Sequence, residues 1–397
     1  MAEYAGVPDD QQEGLEDLEE AGKQYQAVIN QTDWTVETIV RQIRKGNIEL
    51  NPDFQRREAW RKIRKSQYIE SLLVNIPVPQ IVLAERKDQR GKFIVIDGKQ
   101  RLLTLRQFHS TDQEFLSFNL EGLSLRRDLN GVNFDQLSTD IFRDQDLTAL
   151  QNSTIRTIVI RNWEDELFLY SIFLRLNTGS VPLSPQELRQ ALHPGDFAKF
   201  VDKYSQESDV LHRAMGLSRP DPRMRDAELV IRYYAFRNFL DKYTGNLKPL
   251  LDETVKYFNL RWESHQREVQ KQKVEFERAI DISIQIFGEK EVFRKWNGER
   301  YEYALNRAVF DVMMYYFSDT SIQTIAIDKK IDIVLAFKKI CADDDFRSSI
   351  EGTTKSISAI FTRLKLWGEH MNYLNIPVEI PTLVGNKIIL GNRTTIG

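Results

Sequence analysis

Apolar side chains first fall into a helical rhythm at Val36, Ile39, Val40 and Ile43, which predicts a helix beginning after Asp33 or Thr35 and ending at Gly46. The chain before it, Met1 to about Gln31, is polar, acidic and Gln-rich and reads as a flexible or loosely helical lead-in. Ile48 to Leu50 reads as extended, and Asn51 to Arg57 as a polar loop. A second helix is expected over about Ile63 to Asn75, with Ile69, Leu72 and Leu73 inward and Pro77 and Pro79 stopping it. The β-rich runs Gln80–Glu85 and Lys92–Ile96, joined by a turn at Asp88–Gly91, predict a hairpin. A helix over Lys99–Phe108 follows at once. Further short strands are expected within Phe115–Leu125, and another over Thr154–Ile160.

From Glu164 the pattern becomes helical. Glu164–Leu176 forms one helix, and Ser184-Pro185-Gln186-Glu187 is a capping box with Pro at the first helical position. Amphipathic stretches continue at about Asp226–Lys242, Leu247–Glu263, Gln270–Phe287, Tyr301–Phe317, Asp328–Cys341 and Lys355–Tyr373, before an extended or irregular Ile376–Gly397. The expectation is an α+β N-terminal domain with a small mixed sheet, followed by an α-helical C-terminal domain. Its segments are a lead-in over residues 1–31, the α+β domain over 32–160, a helical continuation over 161–246 and the helical domain over 247–397.

Composition narrows the function classes. The 397 residues hold enough apolar material for real cores, and no apolar run approaches a membrane span. No basic, apolar leader opens the chain, and the single cysteine, Cys341, excludes an internal disulfide framework, so a cytoplasmic location is expected. Net charge is only -3, but it is unevenly spread. Met1–Gly22 has eight acids and no base, whereas Arg41–Arg106 has sixteen Lys or Arg against seven Asp or Glu. A basic stretch suits a phosphate-bearing partner, and equally a solvated face.

The richest chemistry lies at Asp97-Gly98-Lys99-Gln100-Arg101, where a buried strand turns directly into a helix. A helix start offers free N–H groups and partial positive charge, Gly98 admits close approach, and Lys99 and Arg101 add full charges. Asp97 could hold Mg²⁺ and a water against a phosphate, or simply cap the helix, with Gly98 only a turn; the local sequence leaves both readings open. Gln55 and Arg56 sit in a loop unsuited to a free surface helix. Arg57, Arg61, Lys62, Arg64 and Lys65 form either a solvated basic face or a nonspecific contact to DNA phosphates. Asn177 and Thr178 close a helix, or bond a ligand, ahead of Gly179. Arg223, Arg225 and Asp226 at the start of a later helix read as an interdomain salt bridge. Among familiar signatures there is no Walker A loop, dinucleotide fingerprint, nucleophile elbow or His-x-x-x-His pair.

Four segments in order, Asn51–Arg56 with Trp60, Ile96–Leu102, Phe173–Gly179 with Leu183–Arg189, and Arg223–Arg232, resemble the N-terminal domain of GmrSD-type restriction endonucleases, related to ParB and sulfiredoxin. The resemblance spans about Trp34 to Tyr243. The family's Asp-Gly-Gln-Gln-Arg is met at Asp97, Gly98, Gln100 and Arg101, with Lys99 replacing the first Gln.

The resemblance implies a ParB/sulfiredoxin-like fold that binds a nucleoside triphosphate with Mg²⁺, and a role in prokaryotic defence against phage or foreign DNA. It assigns Asp97, Gln100 and Arg101 to catalysis, Asp97 also to the metal, and Gln55, Arg56, Gly98, Lys99, Arg101, Asn177 and Thr178 to the nucleotide. The His-Asn-His nuclease site of larger relatives is not found; His370 in Gly368–Asn372 lacks partners for it. The expected partners are a nucleotide, DNA, a separate nuclease or other defence subunit, or a second copy of the chain, and no membrane. A noncatalytic DNA sensor and a protein-interaction subunit are the alternatives.

Overall fold

The structure is a computed structural model that describes residues 27–50, 59–110, 115–176, 184–352 and 354–391. The described residues divide into two compact units, one ending at Leu192 and the other beginning at His193.

The first unit is built on a four-stranded sheet of strands β1 (Val28–Thr35), β2 (Ile81–Glu85), β3 (Phe93–Asp97) and β4 (Thr154–Arg161), in the order β1-β4-β2-β3. β1 runs antiparallel to β4, β4 parallel to β2, and β2 antiparallel to β3, so the sheet is mixed as expected. The hairpin and its strands lie where the sequence placed them. Residues 1–26 lie outside the described residues, and β1 corrects the lead-in reading for residues 28–31. Its eight residues VINQTDWT carry little apolar alternation, but every one pairs with β4 along the sheet edge. Backbone hydrogen bonding holds such an edge strand without a buried face, which leaves no hydrophobic signal to read.

Thr35 caps α1 (Val36–Arg44) through its side chain, and Val36, Ile39, Val40 and Ile43 are buried as their spacing predicts. They join Ile69 and Leu72 of α2 (Lys62–Leu73) and Leu102 and Leu105 of α3 (Lys99–Phe108) over Ile81, Leu83, Val95, Ile155 and Val159 of the sheet. α6 (Glu166–Leu176) and α7 (Pro185–Leu192) pack on β3.

Residues 115–125 form no strand. The buried carboxylate of Glu70 instead accepts the backbone N–H groups of Leu125 (2.7 Å) and Arg126 (2.8 Å), so a side chain does the work of a strand partner. Two short helices that the periodicity did not reveal follow, α4 (Phe134–Thr139) and α5 (Asp144–Asn152), each with one buried side chain, Leu137 and Leu150.

The second unit is helical: α8 (Asp196–Glu207), α9 (Asp209–Met215), α10 (Arg225–Phe239), α11 (Leu247–Leu260), α12 (Trp262–Phe287), α13 (Arg307–Phe317), α14 (Gln323–Asp328), α15 (Lys330–Ile340), α16 (Asp344–Glu351) and α17 (Ile357–Tyr373). A hairpin of β5 (Thr382–Val384) and β6 (Lys387–Ile389) closes it, within the stretch read as extended. Its core contains ions. Arg232 Nε donates to Asp311 (3.0 Å), Arg307 Nη2 to Glu228 (2.9 Å), and Arg363 lies 3.5 Å from Asp311 while donating to the carbonyls of Ser349 and Thr354. Burial pushes Arg363 down to about 10, still charged at neutral pH. Cys341 is buried and its thiol is pushed up to about 11 by burial, so it belongs to the core and not to nucleophilic chemistry. No helix among the described residues is long and apolar enough to cross a membrane.

His109, which ends α3, is buried against Phe134, with ring centroids 4.2 Å apart, and shares a hydrogen bond with the Leu105 carbonyl. Burial lowers its pKa from 6.5 to about 4, opposed by the Leu105 hydrogen bond and aided by the nearby Arg44 charge. The folded protein therefore binds this proton less readily than the unfolded chain. Stability is expected to be full above pH 6.5 and to fall by about 3 kcal/mol as pH drops toward 4. Urea titrations of wild type and His109→Phe across that window check this; the variant loses this part of the slope.

Candidate functional site

The junction between β3 and α3 begins with an irregularity. Leu83 pairs with Val95 and Val82 with Asp97, so Ile96 is the extra residue of a bulge immediately before the loop. Gly98 then takes φ +100° as the N-cap of α3. A Cβ there would stand 3.1 Å from Ile81 Cγ1 and 3.3 Å from Arg101 Nη2, so both the backbone angle and the crowding require glycine.

Asp97 is not the helix cap. Its Oδ1 accepts the Gly98 N–H (2.7 Å), and its Oδ2 accepts Arg101 Nη2 (2.8 Å). The same Nη2 donates to the Gln80 carbonyl (2.8 Å). No side chain caps α3, and its first turn holds no acid. Among the described residues the start of the helix dipole has no side-chain cap, and Arg101 is folded beside it.

Lys99 faces another way. It is 6 % exposed, and its Nζ donates to Glu187 Oε1 at 2.6 Å. Glu187 Oε2 accepts the Ser184 N–H (2.7 Å) while Ser184 Oγ accepts the Glu187 N–H (3.1 Å), the reciprocal capping box expected from the sequence. A lysine charge at this position is therefore compensated inside the protein, tying α3 to the start of α7.

Gln100 turns to the residue that leads into α2: its Oε1 accepts the Trp60 N–H at 3.4 Å. Trp60 stands edge-on to Tyr68, with centroids 5.6 Å apart, and the Arg64 guanidinium lies 4.8 Å from the Trp60 ring. Burial raises the Tyr68 hydroxyl pKa, and the nearby Arg101 charge partly offsets this. Sequence reasoning missed Tyr68 and the chemistry of Trp60. The available signal was a tyrosine on the buried face of α2, since a buried hydroxyl calls for a partner.

The structure brings Asp97, Gly98, Gln100 and Arg101 together with Trp60 and Tyr68. Gln55, Arg56, Arg57, Asn177 and Thr178 lie outside the described residues. The basic run is divided by the geometry of α2. Arg61 and Arg64 are exposed, and Lys62 pairs with Glu121 at 3.1 Å. Lys65 is 6 % exposed and donates to Gln107 (2.9 Å), so its placement on a DNA-facing surface is corrected: helical rotation turns it inward. Arg225 pairs with Asp221 (2.6 Å) inside its own unit.

Among the described residues no three His, Cys, Asp or Glu gather to hold a metal ion. The one carboxylate at the junction, Asp97, has both oxygens engaged, Oδ1 by the Gly98 N–H and Oδ2 by Arg101 Nη2.

Residues 36–194 match the family model described as GmrSD restriction endonuclease, N-terminal domain. The resemblance drawn from the motifs is borne out over that segment. No curated protein matches the chain. The matched segment holds the whole Asp97–Arg101 junction, the capping box at Ser184 and the Lys99–Glu187 pair.

Two outcomes test the construction. Lys99→Met leaves the Glu187 carboxylate buried without its ammonium and is expected to cost about 3–5 kcal/mol, much of it restored in Lys99→Met/Glu187→Gln, which removes the charge and keeps an oxygen for the Ser184 N–H. Denaturant unfolding of the single and double variants measures both. Gly98→Ala is expected to cost about 1–3 kcal/mol through the strained φ and the clash with Ile81, read by the same unfolding experiment.

Proposed function

We propose that the first unit binds a nucleoside triphosphate at the Asp97–Arg101 junction and serves as a nucleotide-dependent switch or NTPase. The observation that carries this reading is the uncapped start of α3, with Gly98 at φ +100° and a buried guanidinium folded against it. The helix dipole at this start favours an anion there. Arg101 can exchange its bond to Asp97 for a phosphate oxygen, since a planar guanidinium suits both. Asp97, so released, keeps lone pairs for Mg²⁺, which when bound supplies neutralising charge to the phosphates. Gln100 lies one residue from Arg101 on the same turn, where its amide can orient a water.

The matched family is named for a restriction endonuclease. On that support the reading extends to prokaryotic defence against phage or foreign DNA, with DNA cleavage supplied by a separate nuclease or other subunit. A DNA-sensing role is less well supported, because the basic run around α2 is partly buried and partly ion-paired.

Calorimetric titration of the whole chain with ATP, GTP, CTP and UTP in Mg²⁺ tests the proposal. At least one is expected to bind. Asp97→Asn is expected to lower affinity or turnover at least tenfold; because it also takes the carboxylate from the buried Arg101, unfolding of the ligand-free variant is measured alongside to separate lost binding from lost stability. Absence of binding by all four would sink the reading.

A further inference from the structure

Three buried polar atoms near the first turn of α3 have no hydrogen-bond partner among the described residues. They are the indole Nε1 of Trp60, the hydroxyl of Tyr68 and the Nε of Arg101, all buried and all without a hydrogen-bond partner. Tyr68 is 7 % exposed and Arg101 4 %. The three occupy one neighbourhood. The Trp60 and Tyr68 rings touch edge to face at 5.6 Å, and the Trp60 backbone N–H meets Gln100 at 3.4 Å. Arg101 Nε is 3.4 Å from where a Gly98 Cβ would stand, and its charge is felt at the Tyr68 hydroxyl.

Their chemistry is one-sided. Indole and guanidinium nitrogens only donate, and the phenol has a single proton to give. They cannot satisfy one another: only the Tyr68 oxygen can accept. The missing partner is an acceptor with several lone pairs in a place already biased toward negative charge by Arg101, by Arg64 over the Trp60 ring at 4.8 Å and by the uncapped helix start. Buried donors left unmatched oppose folding, so they persist most readily where a ligand completes them.

We propose that Trp60 Nε1–H, the Tyr68 hydroxyl and Arg101 Nε–H together receive one phosphate-type oxyanion on the α2 side of the junction, making Trp60 and Tyr68 ligand-contacting residues. This rests on the nucleotide reading above and deepens it. The dipole at the start of α3 and the three side-chain donors grip the same phosphate chain from two directions. The same chemistry serves a nucleotide phosphate and free inorganic phosphate, so the two are titrated separately.

The decisive variant is Tyr68→Phe, which removes one oxygen and keeps the ring. If the hydroxyl serves a ligand, the ligand-free protein unfolds at the same temperature as wild type or higher, because an unmatched polar atom is gone. Affinity for the Mg²⁺–nucleotide, for inorganic phosphate, or for both then falls about tenfold, the loss expected for one hydrogen bond to a charged group. Trp60→Phe is expected to weaken binding in parallel, with the double variant showing non-additive loss. Loss confined to the nucleotide arm assigns the three donors to a nucleotide phosphate; equal loss in both arms assigns them to any phosphate.

The proposal is overturned if wild type binds nucleotide and Tyr68→Phe binds it equally well. It is also overturned if Tyr68→Phe destabilises the ligand-free protein while leaving affinity unchanged, which marks the hydroxyl as structural. If wild type binds neither probe, the nucleotide reading falls first and this inference with it, an outcome distinct from the other two.

Discussion

The site depends on a backbone angle. At φ +100° Gly98 turns the chain from β3 into α3 with no side chain in the corner, and the Arg101 guanidinium fills the space a methyl group would need. Because the turn is this tight, the residue before it and the residue three after it meet: Asp97 and Arg101 close an i, i+4 ion pair across the junction. The bulge at Ile96 sets the phase of that closure by displacing Asp97 from the ladder position it would otherwise hold.

The two cations of the loop, two residues apart, meet different fates. Arg101 stays at the junction and shares its Nη2 between Asp97 and the Gln80 carbonyl. Lys99 crosses to Glu187, whose other oxygen is committed to the capping box of α7. Buried ion pairs gain little net stability, because desolvation offsets attraction, but they cost a great deal when half of the pair is lost. The Lys99–Glu187 pair therefore fixes where α3 and α7 sit, while Asp97 is the more exposed acid of the two pairs. Placing lysine where the related pattern has glutamine changes a structural contact, and leaves the Asp97, Gly98, Gln100 and Arg101 constellation in place.

The helical unit applies the same rule on a larger scale. Arg232, Arg307 and Arg363 are set among Glu228 and Asp311 deep in its core, with carbonyls of Ser349 and Thr354 completing Arg363. Such a network specifies one packing of α10, α13 and α17, since any register shift strands a charge.

Much of this was legible in the chain itself. The face of α1, the β2–β3 hairpin, the limits of α3 and the capping box at Ser184 all follow from period, turn residues and local hydrogen-bonding chemistry, and the loop motif pointed to the junction. Local rules act over a few residues, and those elements are local. Tertiary structure decided the rest. β1 exists because β4 lies beside it, residues 115–125 are held by a carboxylate from α2, and Lys65 is inward because of where α2 rests. Whether Lys99 serves a ligand or Glu187, 88 positions away in sequence, and whether Tyr68 stands beside Arg101, are questions of distance between elements. Composition and periodicity contain no such distances; only the packed sheet and helices set them.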